Sequence, residues 1–238
     1  MLVTCQKNHA IKVGIFLLLR DMRKLILVSA TSFEIEPTLQ FLSGYRLNGQ
    51  VYQLGNLQIQ ACITGVGMIN TAFELGRCGA QQFDLALNAG LAGCFGNRPK
   101  GSVLNIVSDC FSELGAQDDE RFLTIDELGF GQQQQVPEKP LSLNFLSQLP
   151  SAHGITVNTV HGHETSITAL QSRLSPDTES MEGAAFFMAA NRFGWTCAQI
   201  RAISNKVEKR QRETWEIAIA VSQLNQTLIK LLEDLSIS

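Results

Sequence analysis

The amino-acid sequence predicts an α/β protein built in three layers, with helices on both faces of a mixed or parallel central sheet. Two patterns carry that expectation. Short apolar runs rich in β-branched residues alternate with stretches of helical period, and the runs are apolar almost throughout, as in strands covered on both faces. Hydrophobic residues make up 45% of the 238, against 17% charged, enough for one large core without cross-links.

KLILVSA (24–30) reads as the first strand, followed by a helix over 33–43. LQIQACI (57–63) is the next strand and 68–82 the next helix. DLALNAG (84–90), SVLNIVS (102–108) and ITVNTV (155–160) are further strands. A helix over 182–193 leads to the strand AQIRAIS (198–204). In the final helix Trp215, Ile219, Leu224, Leu228, Leu231 and Leu235 recur close to whole turns, so one side packs on the body. The polar stretch AQDDER (116–121), then QQQQ at 132–135 with Pro137 and Pro140, reads as a long loop. There is no internal repeat, and no composition shift divides the chain, so residues 22–238 are expected to form a single domain. Residues 11–19, IKVGIFLLL, are too few to span a bilayer and no small-x-small cleavage site follows. Met22 opens a second beginning, so residues 1–21 are expected outside the fold, as an upstream start or a leader.

Charge and cysteine usage exclude several functions. The net charge of −3 offers no basic excess to neutralise a phosphate backbone, so neither a nucleic acid nor a membrane is the expected partner. The six cysteines are scattered without CxxC spacing and the four histidines form no HExxH, so no metal site is expected. Scattered cysteines in a chain with its own core read as small buried hydrophobes in a reducing cytoplasm.

In open α/β sheets ligands gather at the carboxyl ends of strands. There the sequence places SATSFEIEP with Glu34 and Glu36, the glycine-rich TGVGMIN, NAGLAG, and SNKVEKR with Ser204 and Asn205; ESMEGAAF brings Glu179 and Glu182 to a helix start. Taken singly each has a structural reading. The glycines suit tight turns, Glu182 complements a helix N-terminus, Glu34 or Glu36 is a solvated first-turn carboxylate, and Asn205 is a cap or turn residue.

Their order over 24–235 resembles the purine nucleosidase/phosphorylase superfamily. GVGMINTA resembles its glycine turn, NAGLAG its second glycine loop, SMEGAAF its Met-Glu ribose motif and RAISN the segment that meets the base. Within it, DCFSELGAQDD (109–119) and ISNKVEKRQRETWEIAIA (203–220) are similar to the futalosine hydrolase branch, whose members release hypoxanthine in menaquinone biosynthesis. The resemblance implies a nucleoside phosphorylase-like α/β/α fold, a small purine nucleoside as partner, no cofactor, and a homodimer or larger homo-oligomer. It assigns Glu34, by the alignment of VSATSFE rather than Glu36, to the activation of water. It assigns Glu182 to a ribose hydroxyl, with Met181 alongside the sugar, and Asn205 to the base with Ser204 beside it. Leu91, Ala92 and Gly93 are the substrate-binding part of the second glycine loop.

Three chemical points accompany it. An amide at 205 donates a hydrogen bond to N7 or a 6-oxo group, where relatives acting on 6-aminopurines carry an aspartate, so a 6-oxopurine is expected. Phosphorylases of the superfamily carry an arginine and a serine where this chain has Asn88 and Leu91, so water is the expected nucleophile. Arg210 and Arg212, with Trp215 as an aromatic wall, are candidates for the carboxylate of a futalosine-like substrate; the alternative is a solvated basic turn. A base-stacking phenylalanine of relatives has no counterpart in HGHETSI (161–167), unless His161 or His163 stacks. The rivals are a methylthioadenosine or adenosylhomocysteine nucleosidase, a phosphorylase, and a non-catalytic nucleoside-binding domain.

Overall fold

The computed structural model describes residues 22–237; the expectation for residues 1–21 lies outside them. The apolar run after Met22 becomes β1 (Arg23–Ser29), the strand at the heart of the molecule. Leu25 and Leu27 point to one side of the sheet, Ile26 and Val28 to the other, and all four are fully buried. A strand apolar on both faces can lie only inside a sheet covered on both sides.

Around it the chain lays down α1 (Ser32–Ser43), β2 (Arg46–Asn48), β3 (Val51–Leu54), β4 (Leu57–Ile63) and α2 (Met68–Cys78). There follow β5 (Leu85–Cys94), β6 (Val103–Phe111), β7 (Gly115–Asp118), β8 (Arg121–Thr124), β9 (Gln134–Gln135) and α3 (Asn144–Gln148). The last part contains β10 (Ser151–Thr156), α4 (Glu164–Leu174), β11 (Thr178–Ser180), α5 (Gly183–Phe193), β12 (Thr196–Lys206) and α6 (Ile217–Ile237). Helices α1 and α6 cover one face through Ile35, Leu42, Leu224, Leu228 and Leu231. Helices α2 and α5 cover the other through Leu75, Phe186 and Phe187. The three-layer expectation holds.

The main sheet runs β11-β10-β6-β12-β5-β1-β4-β3-β2, with β9 on β6. It is mixed: β1 is parallel to β4 and β5, whereas β12 is parallel to β5 and antiparallel to β6. β5 changes neighbour along its length. Leu85–Asn88 pair with β1, while Gly93 and Cys94 leave it and pair with β11. Five strands thereby close into a ring, β11-β10-β6-β12-β5, with a cavity at one rim.

Four details correct the sequence reading. NAGLAG is not a loop after a strand; it is the second half of β5, and neither Gly90 nor Gly93 has positive φ. The polar stretch 116–121 belongs to a hairpin, β7 with β8, turning through Asp119 at φ 54°. The strand expected at 155–160 ends at Thr156, because β6 offers partners only as far as Phe111. Among the described cysteines, Cys78 and Cys110 are only partly buried, and the thiols of Cys62 and Cys78 face each other at 3.9 Å.

Candidate active site

The first functional carboxylate is set by a capping box. Thr31 caps α1 and accepts from the Glu34 N–H, while Oε2 of Glu34 accepts from the Thr31 N–H at 3.0 Å and the Thr31 hydroxyl at 3.0 Å. Its other oxygen, Oε1, accepts from the Leu91 N–H on β5 at 3.0 Å, so both oxygens are oriented by donors. Pro37 interrupts the helix just beyond, and Ile35 leaves helical geometry. Asn225 of α6 inserts its amide into the gap, giving Nδ2 to the Glu34 carbonyl and accepting the Thr38 N–H. Glu36, the rival by type, is exposed and holds only Gln40 on the outer surface.

The second carboxylate, Glu182, stands at the N-cap position of α5 without a side-chain bond to the helix, and is buried. The turn GVG sends Gly67, at φ 100°, to donate its N–H to Oε1 at 3.1 Å; here glycine is required by backbone conformation. The Met181 N–H approaches Oε2 at 3.3 Å. Burial pushes the Glu182 carboxyl up; the Arg201 guanidinium and the Gly67 N–H pull it back, and the Glu34 charge adds to the rise.

Arg201 is the residue the sequence reading left without a role. It is 1% exposed on β12, donates to Asn88 Oδ1 at 2.6 Å and lies 3.8 Å from Glu182 Oε2. Its guanidinium occupies the space over Gly90, where an added Cβ would overlap Nη1 and stand 3.2 Å from Glu34 Oε1. Glycine at 90 therefore serves close approach, not a turn. Asn88 is turned into this network and away from the cavity. Gln199 and Arg201, two apart among the apolar residues Ala198, Ile200, Ala202 and Ile203, were the available signal: they share a face, so a buried polar layer had to receive both.

At the far rim β12 bulges at Ser204, which sets Asn205 opposite Gly93. Asn205 donates from Nδ2 to the Lys206 carbonyl at 2.9 Å, and its Oδ1 accepts from the Ser204 hydroxyl at 2.8 Å. A carbonyl can only accept, so these partners fix which way the amide points and leave one N–H free. On the other side of β5, Glu179 also stands opposite Gly93. Its carboxylate is gripped by His161, whose backbone N–H donates to Oε1 at 2.9 Å and whose Nδ1 is hydrogen-bonded to Oε2. Burial pushes the Glu179 carboxyl up and His161 pulls it back.

Glu34, Glu182, Asn205, Glu179 and His161 line one cavity of about 220 Å³, with Arg201 and Asn88 behind it. The structure brings together Glu34, Leu91, Ala92, Gly93, Met181, Glu182, Ser204, Asn205 and Arg210 there. Arg210 lies over the Trp215 ring, 5.2 Å from its centre, and both border the opening. Arg212 is not brought in: it sits exposed on a short 3-10 turn. His161 lines the cavity, whereas His163 is exposed at the start of α4. Among the described residues no group of three or more His, Cys, Asp or Glu is placed to hold a metal ion, and no helix is long and apolar enough to cross a membrane.

Futalosine hydrolase of Streptomyces coelicolor is 32% identical over 154 residues, 63% of this chain and 65% of that protein. Futalosine hydrolase of Thermus thermophilus is 28% identical over 179 residues, 72% of this chain and 80% of that one. The match thus spans just under two thirds of the Streptomyces relative's length. Among solved structures, futalosine hydrolase of Helicobacter pylori superposes with a TM-score of 0.75 at 15% identity, covering 89% of this chain and 98% of that one. A methylthioadenosine/adenosylhomocysteine nucleosidase of Colwellia psychrerythraea, in complex with adenine, gives 0.75 at 17% identity, covering 90% and 96%. The family model for the phosphorylase superfamily matches residues 24–235, nearly the whole described chain, and the protein belongs to that superfamily.

Proposed function

We propose that this protein is a nucleosidase that hydrolyses the N-ribosidic bond of futalosine, releasing hypoxanthine and leaving dehypoxanthine futalosine, a step of menaquinone biosynthesis in the cytoplasm. The observation that carries the reading is the division of one cavity into a carboxylate end, Glu34 with Glu182, and an amide end at Asn205. The similarity to curated futalosine hydrolases supports the same substrate.

Cleaving the bond builds positive charge on the sugar ring, as in glycoside hydrolysis. Glu34, held by the Leu91 N–H and the Thr31 cap, takes a proton from the attacking water. Glu182 accepts a ribose hydroxyl, with Met181 alongside the sugar, and its charge favours the cationic ring over the ground state. Asn205 donates its remaining N–H to the purine. An acceptor-only carboxylate facing a 6-oxo group would leave two acceptors opposed, costing roughly 1–3 kcal/mol.

Water rather than phosphate suits the carboxylate end. The guanidinium nearest to it belongs to Arg201, which is buried and engaged by Asn88 and Glu182. Arg210, stacked on Trp215 at the opening, is the cation for the carboxylate of the substrate's tail, in preference to the outlying Arg212. Ile63 at the end of β4, Val66 in the glycine turn, and Ile69 and Phe73 one turn apart on α2 are exposed apolar side chains, and we assign them to a homodimer. Val66 also lines the cavity, so a second copy seated there borders the site.

Base release, followed by chromatography with and without phosphate, tests the reading. Futalosine is expected to yield hypoxanthine with no phosphate requirement, and methylthioadenosine to yield little adenine. Glu34→Gln is expected to bind substrate while kcat falls on the order of 100-fold or more. Dominant adenine release, phosphate dependence, or binding without turnover in the wild type would each refute it.

A further inference from the structure

Asn205 can orient a departing purine but has no acidic proton to give, so the proposed hydrolysis still lacks a donor for the base. Among the side chains lining the cavity, which also include Lys206 and Glu208, His161 is the imidazole, a group suited to passing a proton to a base nitrogen. His161 follows β10 on the segment that leaves the sheet after Thr156, and Glu179 holds it at two points, the backbone N–H and Nδ1. Their side chains are 16% and 4% exposed, and both line the cavity. With Nδ1 committed, Nε2 is the ring nitrogen left for a ligand.

Strand register puts this pair at the amide end. Glu179 on β11 and Asn205 on β12 flank the same residue, Gly93, from opposite sides of β5. No side chain at 93 separates them; a Cβ there would meet Val207 Cγ2 at 2.9 Å and Asn205 Nδ2 at 3.2 Å. Next to Glu179, the buried Ser180 hydroxyl lines the same cavity with no partner, a second polar group left for a ligand.

We propose that His161, held by Glu179, is the general acid that protonates the leaving purine. The proposal rests on the nucleosidase reading above. In the step, the C1′–N9 bond breaks and its electron pair passes to the base, while a proton moves from Nε2 of His161 to the base nitrogen N7. The water oxygen bonds to C1′ and its proton goes to Glu34. Exchange with solvent returns a proton from Glu34 to His161, so the cycle consumes only water and substrate. Glu179 is a positioning residue: its carboxylate holds the His161 backbone N–H and Nδ1, leaving Nε2 for the base. The other charged groups around the ring are Glu113 behind Glu179, Arg210 beside Gly162, Glu34, Glu182, Lys206 and Glu208 lining the same cavity, and Glu120, Arg121 and Arg173 across a second cavity that His161 also lines.

The test compares futalosine with its N7-methylated derivative, whose base departs without taking up a proton. His161→Asn is expected to lose on the order of 100-fold or more in kcat on futalosine and no more than about threefold on the methylated substrate. Retained turnover of the methylated substrate also shows that the variant folds. Equal losses on both, or no loss on futalosine, would overturn the proposal while leaving the nucleosidase reading intact. A wild type that releases no hypoxanthine would overturn that reading first, and the proposal with it. Should His161→Asn not fold, Glu179→Gln decides: it is expected to lose at least about tenfold more in kcat on futalosine than on the methylated substrate. Equal losses on the two substrates overturn the proposal.

Discussion

Gly90→Ala separates close approach from backbone freedom as the reason for a glycine. Gly90 has no positive φ, so alanine meets no conformational penalty there. Its methyl group would overlap Nη1 of Arg201 and come within 3.2 Å of Glu34 Oε1. Arg201 is fully buried and cannot swing into solvent, so yielding means giving up its 2.6 Å hydrogen bond to Asn88. A hydrogen bond to a charged group is worth about 1.5–3 kcal/mol. For a domain of this size each kcal/mol moves Tm by about 2–4 °C, so the expected fall is roughly 3–12 °C. Displacing Glu34 should also lower hypoxanthine release on the order of 100-fold, because a carboxylate that activates water tolerates little misplacement. Gly44→Ala is the control. It is exposed at the end of α1 in right-handed helical geometry (φ −68°), an added Cβ would meet only the Phe41 carbonyl at 3.9 Å, and alanine there should change stability by less than about 1 kcal/mol and leave turnover unchanged. Calorimetry and base release on both variants make the comparison. A Gly90→Ala protein with wild-type Tm and activity would refute the packing argument.

Two further outcomes are expected. Asp109 is fully buried between Gln199 and Thr156, and burial pushes its carboxyl up to about 6 despite those hydrogen bonds and Arg201. A folded value above the unfolded one means its stabilising contribution, up to about 3 kcal/mol, is complete below about pH 4 and is lost as pH rises through about 6. Asp109→Asn should therefore flatten the decline of Tm between pH 4 and 7, and a variant that tracks the wild type contradicts this. On the apolar face, Ile69→Glu with Phe73→Glu should convert a dimer to monomer by light scattering, since burying carboxylates in an interface costs several kcal/mol. A monomeric wild type, or a variant that stays dimeric, would refute that assignment.

Local chemistry was legible where it acts over a few residues. The buried strands declared themselves because runs such as KLILVSA are apolar on both faces, and GVG was rightly a turn that needs positive φ. Glu34 and Glu36 were equal in type. The helix separated them by phase, turning one into the cavity and the other to solvent. The glycines of NAGLAG misled, because their cause is not the local backbone: the Arg201 guanidinium lies over Gly90, and the Val207 and Asn205 side chains crowd Gly93.

The amino-acid order alone determined the layers, the main helices and which faces are apolar, since periodicity is a property of neighbouring residues. Only the tertiary structure decided that β5 leaves β1 for β11, and hence that Glu179 and Asn205 flank Gly93 from opposite sides. His161 and Glu179 are 18 positions apart, and nothing in their spacing announces a pair. Strand pairing is non-local: alternation tells a side chain which face it takes, while the neighbour it finds there depends on the register of strands far away in the chain.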